Sequence, residues 1–233
     1  MANRSALEKR RKPAATGTRD DQRTRRQLIE EAGRAFAENG FGRTTGKEIC
    51  ARAGVNAAAV NYHFGSMTGL YAAVLQEAHN RLVTIDALTA AIASTPDPRA
   101  RLRAVLSLFA RSVTGPEVSS WVLRVLGREI VSPSPELKTI DEKVRLPKVQ
   151  IVRHLIAELL ELPDDHPAVA RSCISVMGPC VLMLVGDRAS LRRILPAMVF
   201  TPDSAEALID HLCTFALAGL NAVAESVRKC GLR

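Results

Sequence analysis

Thr44-Thr45-Gly46-Lys47-Glu48-Ile49-Cys50-Ala51-Arg52-Ala53-Gly54-Val55-Asn56-Ala57-Ala58-Ala59-Val60-Asn61-Tyr62-His63-Phe64 is the stretch that decides the reading of this chain. Thr45, with Glu48 three residues on, has the form of a capping box, which starts one helix at about Gly46. Ile49 and Ala53 face inward. Gly54 breaks the chain sharply, because it alone takes a left-handed turn at no steric cost. Val55 anchors the turn, and Asn56 can cap a second helix that runs to about Tyr62. Two short helices forced apart by one glycine describe helix-turn-helix geometry.

The exposed face of the second helix then presents Asn56, Ala57, Ala58 and Asn61, with Tyr62 and His63 at its end. An asparagine amide donates to and accepts from adenine, and an alanine methyl packs on the thymine methyl. Small side chains at Ala57 and Ala58 let the backbone approach the groove floor. Arg43, Thr44, Thr45, Lys47, Tyr62 and His63 are placed to fix phosphates rather than to read bases. Asn56 reads equally well as a cap alone. No second histidine or carboxylate stands at a useful spacing from His63, so neither a metal nor an acid-base role is expected.

Outward from this stretch, Leu28, Ile29, Ala32, Ala35 and Phe36 recur at helical spacing. Asp20 or Asp21 can start that helix and Asn39-Gly40 ends it. Phe41 is expected to fold back onto the core. Ser66 after Gly65 caps a long helix carrying Leu70, Tyr71, Val74, Leu75, Ala78, Leu82 and Ile85. That helix links the unit to the rest of the chain over about 66–90.

Charge sharpens the picture. The formal net charge is +8, and residues 1–26 hold nine Lys/Arg against Glu8, Asp20 and Asp21, which leaves +6 in that segment. Residues 1–19 contain Pro13, Gly17 and few apolar groups, and are expected to be a disordered basic arm. Such an arm neutralises phosphates; it reads alternatively as a solubilising tail.

The chain is 47% hydrophobic, enough for one sizeable core or two small ones. The longest uncharged apolar run, Cys173 to Gly186, falls short of the roughly 18 residues of a membrane span. No secretory pattern opens the chain, so a cytoplasmic protein without a membrane partner is expected. Cys50, Cys173, Cys180, Cys213 and Cys230 lack metal-ligand pairing and read as small thiols. No Gly-rich phosphate loop, His-x-x-x-His pair or nucleophile-base arrangement is visible, so neither an enzyme nor a cofactor is expected.

Residues 28–75 resemble the DNA-binding domain of the TetR family of transcriptional regulators. The matching positions are Ile29, Ala32, Phe36, Gly40, Phe41, Thr44, Thr45, Ile49, Ala53, Gly54, Val55, Tyr62, Phe64, Ser66 and Leu70. Val60-Asn61-Tyr62-His63-Phe64-Gly65-Ser66, then Gly69-Leu70-Tyr71, is similar to the CecR (YbiH-like) subgroup. That similarity continues through Leu123 to Ile130 and Ser132-Pro133-Ser134-Pro135. The resemblance implies an all-α homodimer: a three-helix DNA-binding domain over 20–65 and a larger helical effector-binding and dimerisation domain over 66–233. It also implies a palindromic double-stranded DNA operator, released on binding a small-molecule effector, and control of transport or antibiotic-sensitivity genes. One departure is Met67, where such sequences commonly carry a phosphate-contacting lysine; the basic arm is expected to offset it.

Beyond the linking helix, the pattern predicts helices over about 99–113, 117–130, 136–161, 168–185, 188–195 and 203–229. Pro147 disturbs the third and Gly178-Pro179 the fourth. A pocket between them is expected to use Phe109, Trp121, Arg124, Arg128, Met177, Cys180 and Met183. Trp121 offers a flat apolar surface, the methionines adapt to irregular shapes, and an enclosed arginine pairs with an acidic ligand. Trp121 and the methionines read alternatively as ordinary core, and Arg124 and Arg128, four apart on one helix face, as partners of Glu117, Glu129 or the second subunit. Leu208, Leu212, Phe215, Ala216, Gly219, Leu220 and Val223 form an apolar stripe suited to a four-helix dimer seam; burial within one chain is the alternative. A helical ligand-binding adaptor without DNA function, or an enzyme, stands against the regulator reading.

Overall fold

The computed structural model describes residues 14–115, 120–186 and 188–231. Among the described residues every regular element is a helix: α1 Ala14–Asn39, α2 Gly46–Arg52, α3 Ala59–Phe64, α4 Met67–Leu82, α5 Ile85–Ala93, α6 Pro98–Thr114, α7 Ser120–Val131, α8 Pro135–Ile140, α9 Leu146–Leu160, α10 Pro167–Val185, α11 Arg188–Ile194 and α12 Ala205–Gly231. This is the all-α architecture expected.

Three boundaries differ from the sequence pattern. First, α1 begins at Ala14, so residues 14–19 are helical rather than a disordered arm, and neither Asp20 nor Asp21 starts the helix. The rest of the expected arm, with Arg4, Lys9, Arg10, Arg11 and Lys12, lies outside the described residues. Second, the linking helix is two helices. Extended backbone at Val83 stops α4, and the Thr84 hydroxyl accepts from Ala87 N at 3.0 Å to start α5. The β-branched pair Val83-Thr84 gives a local reason for the break. Third, the stretch expected as one helix over 136–161 is α8, a wide π-helical turn at Asp141–Arg145, and α9. Pro147 sits in the first turn of α9, where its missing N–H is harmless, and the wide turn absorbs the register change before it. Residues 116–119, where α7 was expected to open, lie outside the described residues.

Two hydrophobic cores organise these helices. The first joins Leu28, Ile29, Ala32 and Phe36 of α1 to Ile49, Val60, Leu70, Val74 and Leu75. It also contains Trp121, Val122, Val125 and Leu126 of α7. The second is mainly aliphatic and draws on α5, α6, α9, α10 and α12, with Leu102, Leu106, Leu155, Ile156 and Ile209 fully buried in it. Helix α7 therefore comes late in the chain yet packs into the first core.

Close fits explain that placement. Gly33 is buried, and a Cβ there would lie 2.6 Å from the Trp121 ring, so only glycine lets the indole lie flat on α1. The Trp121 Nε1–H donates to Glu30 Oε2 at 2.8 Å. Arg81 of α4 lies over the same ring at 5.2 Å, with its charge held by Glu30 and Glu77. Glu129 is buried, and its carboxylate accepts from Tyr71 Oη–H at 2.6 Å, Ser134 N–H at 3.0 Å and Ser134 Oγ–H at 2.9 Å. Burial first, and then that carboxylate, push the Tyr71 phenol well above its ordinary value. Phe36, Phe41 and Tyr71 pack as a trio with centroids 4.7–5.7 Å apart.

Candidate nucleic-acid interface

The interface is built from α2, the turn and α3. Thr45 caps α2 as expected, its hydroxyl oxygen accepting from Glu48 N at 3.2 Å. Glu48 does not reach back; its carboxylate pairs with Arg52 at 2.8 Å. At the far end Gly54 takes φ +64, and Val55 N donates to Cys50 O at 3.0 Å, which closes the helix with a left-handed cap. The Cys50 thiol lies 3.7 Å from Ala57 O, so α2 holds the entrance of α3 directly.

Asn56 is a cap in geometry: its Oδ1 accepts from Ala58 N at 2.9 Å and its carbonyl from Ala59 N at 2.9 Å. One turn precedes α3, which runs on to Phe64, two residues past Tyr62. Val60 is buried beneath α3 while Asn56, Ala57, Ala58, Asn61 and Tyr62 are all exposed, Tyr62 at 77%. Arg43, Thr45 and Lys47 are exposed on the same unit.

Two expected contact residues point elsewhere. Thr44 is buried, and its hydroxyl donates inward, 2.9 Å from Gly40 O and 3.4 Å from Ala35 O, at the end of α1. His63 has a side chain only 7% exposed, set against α1 with Nδ1 3.7 Å from Asp21 Oδ1. Both therefore brace the unit from behind. The adjacent Phe64 ring lies under the Arg25 guanidinium at 5.2 Å. Sequence reasoning missed these α1 partners, because nothing in local spacing signals which helix backs the end of α3. Met67 likewise packs inward: a Cβ added at Gly46 would meet its sulfur at 3.3 Å.

The residues expected to line one effector pocket do not converge. Phe109, Met177, Cys180 and Met183 belong to the second core, whereas Trp121 is buried in the first. Arg124 and Arg128 are exposed beside a groove between the two cores. Arg128 donates through Nη2 to Ala37 O at 3.3 Å and Glu38 O at 3.4 Å, closing the end of α1. The Trp121 anchor and the arginine cap explain the separation: α7 turns these faces to α1. Burial pushes the Cys180 thiol up to about 11, so it is an inert apolar group at neutral pH. The buried Glu129 was a missed signal. It falls on the inward stripe of Val122, Val125 and Leu126, where a carboxylate demands partners.

The expected dimer stripe also divides. Leu212, Ala216 and Leu220 are buried within the chain, while Leu208 and Val223 are half-buried. Phe215, 71% exposed, and Gly219 face outward. Helical geometry gives the reason, since the stripe is wider than one contact face. Ile174 and Leu182 of α10 are exposed as well, and an apolar groove of about 280 Å³ runs between α10 and α12 near Phe215. The segment Pro202–Cys230 is long and apolar enough to cross a membrane by length and composition. It carries Asp210 and Glu206, which pair with Arg103 of α6, and packs on the second core.

A short helix with a small, polar outer face, held by a capped helix and a glycine turn, defines a helix-turn-helix transcription regulator. The family models agree with that geometry. Residues 28–74 match the bacterial regulatory proteins of the tetR family, and residues 98–220 match the C-terminal domain of the HTH-type transcriptional dual regulator CecR. The chain belongs to the TetR family, with a CecR-type C-terminal domain, and is not an enzyme. It is 33% identical over 113 residues to the HTH-type transcriptional activator FasR of Mycolicibacterium smegmatis, covering 47% of this chain and 51% of FasR. The match thus spans about half of that relative. Among solved structures, the fatty acid degradation regulator FadR of Bacillus halodurans superposes with a TM-score of 0.64 at 16% identity, over 84% of this chain and 96% of FadR. NalD, the secondary repressor of the MexAB-OprM multidrug efflux pump in Pseudomonas aeruginosa, gives 0.56 at 21% identity, over 83% and 95%. Both share the fold.

Proposed function

We propose that the chain is a ligand-responsive repressor that binds a palindromic operator in the cytoplasm as a homodimer, one α3 in each of two successive major grooves. The observation that carries this is the outer face of α3 and of the turn that leads into it, where Ala57, Ala58 and Asn61 stand exposed on a segment anchored at both ends. Asn61 reads adenine, and the alanines admit the backbone to the groove. Arg43, Thr45, Lys47 and Tyr62 hold phosphates, and Asn56 sets the start of the helix. Arg19, Arg23 and Arg26, exposed along one side of α1, add phosphate contacts.

Dimerisation is assigned to the outer faces of α10 and α12, where Ile174, Leu182 and Phe215 remain uncovered in one chain. The DNA-reading unit extends past residue 65 to take in α4 and α7; the rest of 83–231 forms the effector and dimer body. A small-molecule effector that favours a different spacing of the two α3 helices releases the DNA. NalD, as a repressor of an efflux pump, supports transport or antibiotic-sensitivity genes as targets. The same contacts would serve activation, the role in FasR's name; a promoter fused to a reporter decides the sign.

Capture of genomic fragments by the purified chain, followed by footprinting, tests the reading. A protected palindrome with half-sites one helical turn apart is expected. Asn61→Ala should remove about 1–3 kcal/mol of discrimination at one base position per half-site. Binding that is uniform across fragments, or selectivity unaltered by Asn61→Ala, refutes it.

A further inference from the structure

We infer that the groove between the DNA-reading unit and the end of α10 is a binding site for a small organic anion with an apolar body, with Arg124 as its charge partner. The groove has a volume of about 1090 Å³, of the size that takes cofactor- and drug-like molecules. Gly40 and Phe41, Leu123 and Val131 of α7, and Gly186 after α10 line it. Val131 is 79% exposed, an apolar surface that water covers only at a cost.

Charge selects the ligand class. Arg124 and Arg128 stand four residues apart on one side of α7 and both line the groove. Arg124 is exposed and has no carboxylate, carbonyl or ring partner among the described residues. The two groove carboxylates among the described residues are already engaged: Glu38 pairs with Arg52 at 2.9 Å, and Glu129 accepts three hydrogen bonds. An uncompensated guanidinium beside apolar walls fits a carboxylate, sulfonate or phosphate carried on a hydrophobic body.

The second arginine gives such a ligand a route to the DNA-reading unit; this part rests on the regulator reading above. The contacts of Arg128 to Ala37 O and Glu38 O, at 3.3 and 3.4 Å, are long for charged hydrogen bonds. An anion bridging Arg124 and Arg128 competes for the same N–H groups. It draws Arg128 off the end of α1, and that end leads directly into α2 and α3.

The probe is 1-anilinonaphthalene-8-sulfonate, titrated by fluorescence into the full chain beside its uncharged relative N-phenyl-1-naphthylamine. Saturable binding of the sulfonate at one site per chain is expected. Arg124→Gln should weaken it about tenfold, while the uncharged probe and an Arg171→Gln control stay unaffected. Equal effects of Arg124→Gln on both probes, or none on either, overturn the site. In the second arm, the sulfonate should lower affinity for a DNA fragment that the chain itself selects, in the parent protein but not in Arg124→Gln. Arg124-dependent probe binding with unaltered DNA affinity overturns the coupling and leaves the site. Failure to select any DNA overturns the regulator reading, and the fluorescence arm still decides the site.

Discussion

The two cores are held by different means. The first is aromatic and tied by directional contacts across three helices: Trp121 on Gly33, Tyr71 on Glu129, Arg81 over Trp121. The second is mainly aliphatic, and its side-chain ties lie at its edge: the exposed pair Arg103–Asp210, worth little in water, and the two-pronged pair Arg101–Glu158, whose arginine is largely covered. The difference separates a part that must hold one geometry from a part that can repack. A DNA-reading helix displaced by an ångström loses its base contacts, so shape and hydrogen bonds fix it. Aliphatic packing with few directional bonds tolerates rearrangement at smaller cost.

The contrast breaks most visibly at Gly33. A leucine there must displace the Trp121 ring, and overpacking of this kind should cost about 3 kcal/mol or more. Thermal unfolding should show the loss, with Trp121 fluorescence shifting as the indole leaves α1. A stable Gly33→Leu protein with unaltered fluorescence would mean that α7 is not locked to the first core.

At the junction of the two cores lies a group whose ionisation reports on both. Burial first, then the nearby Lys148 and Arg145 cations, pull the His79 imidazole down to about 4. Its Nε2 is shielded from water and has no hydrogen-bond partner among the described residues, while Lys148 Nζ donates to the His79 carbonyl at 2.9 Å. Lys148 is itself lowered to about 8 by burial. The folded pKa of His79 is below the unfolded value of about 6.5, so the unfolded chain binds the proton more readily. Stability from neutral His79 is complete above pH 6.5 and drains as pH falls towards 4, by up to about 3 kcal/mol. Denaturation midpoints between pH 7 and 4 should fall less steeply in His79→Leu than in the parent. Parallel pH profiles would show that the imidazole titrates normally.

Tyr71→Phe acts within the first core at smaller scale. It leaves Glu129 with the two Ser134 donors and removes one charge-assisted bond, for a loss of about 2 kcal/mol. Urea unfolding should show that loss. Glu129→Gln, which keeps a hydrogen-bonding group without the charge, should lose less if the carboxylate's burial is costly in itself. A Tyr71→Phe midpoint equal to the parent's would remove the latch from the account.

How much of this was legible in the sequence follows the same divide. The first unit could be read because its determinants are local: Thr45 caps α2, Gly54 must be left-handed, and Ser66 caps α4 within three residues. The inward turn of Thr44 and His63 could not: Thr44 turns to Gly40 O and to Ala35 O of α1, and His63 to Asp21, forty-two positions earlier. Trp121 is core, as its alternative reading has it, but which core could not be read, for the same reason. Its partner Glu30 is ninety-one positions earlier, and helix periodicity says which face is apolar without saying which core receives it. The π-helical turn before Pro147 left only a proline as its signature, and the break at Val83-Thr84 was hidden by an apolar stripe running on to Ile85.

The smallest effect is also the one that separates the second core from its outer face. Gly219 sits within α12 with nothing near enough to meet a Cβ. In a single chain Gly219→Ala is therefore a plain gain in helix propensity, of about 1 kcal/mol. If the outer face of α12 packs against its symmetry mate, the same methyl stands between two close backbones and weakens the pair. Sedimentation at several concentrations, read beside thermal unfolding at low concentration, resolves the two. A higher unfolding temperature for the dilute protein together with weaker self-association places Gly219 in the seam. A gain in both would move the seam away from it, towards Ile174 and Leu182, and would leave the second core as a body whose small outer residues serve the helix alone.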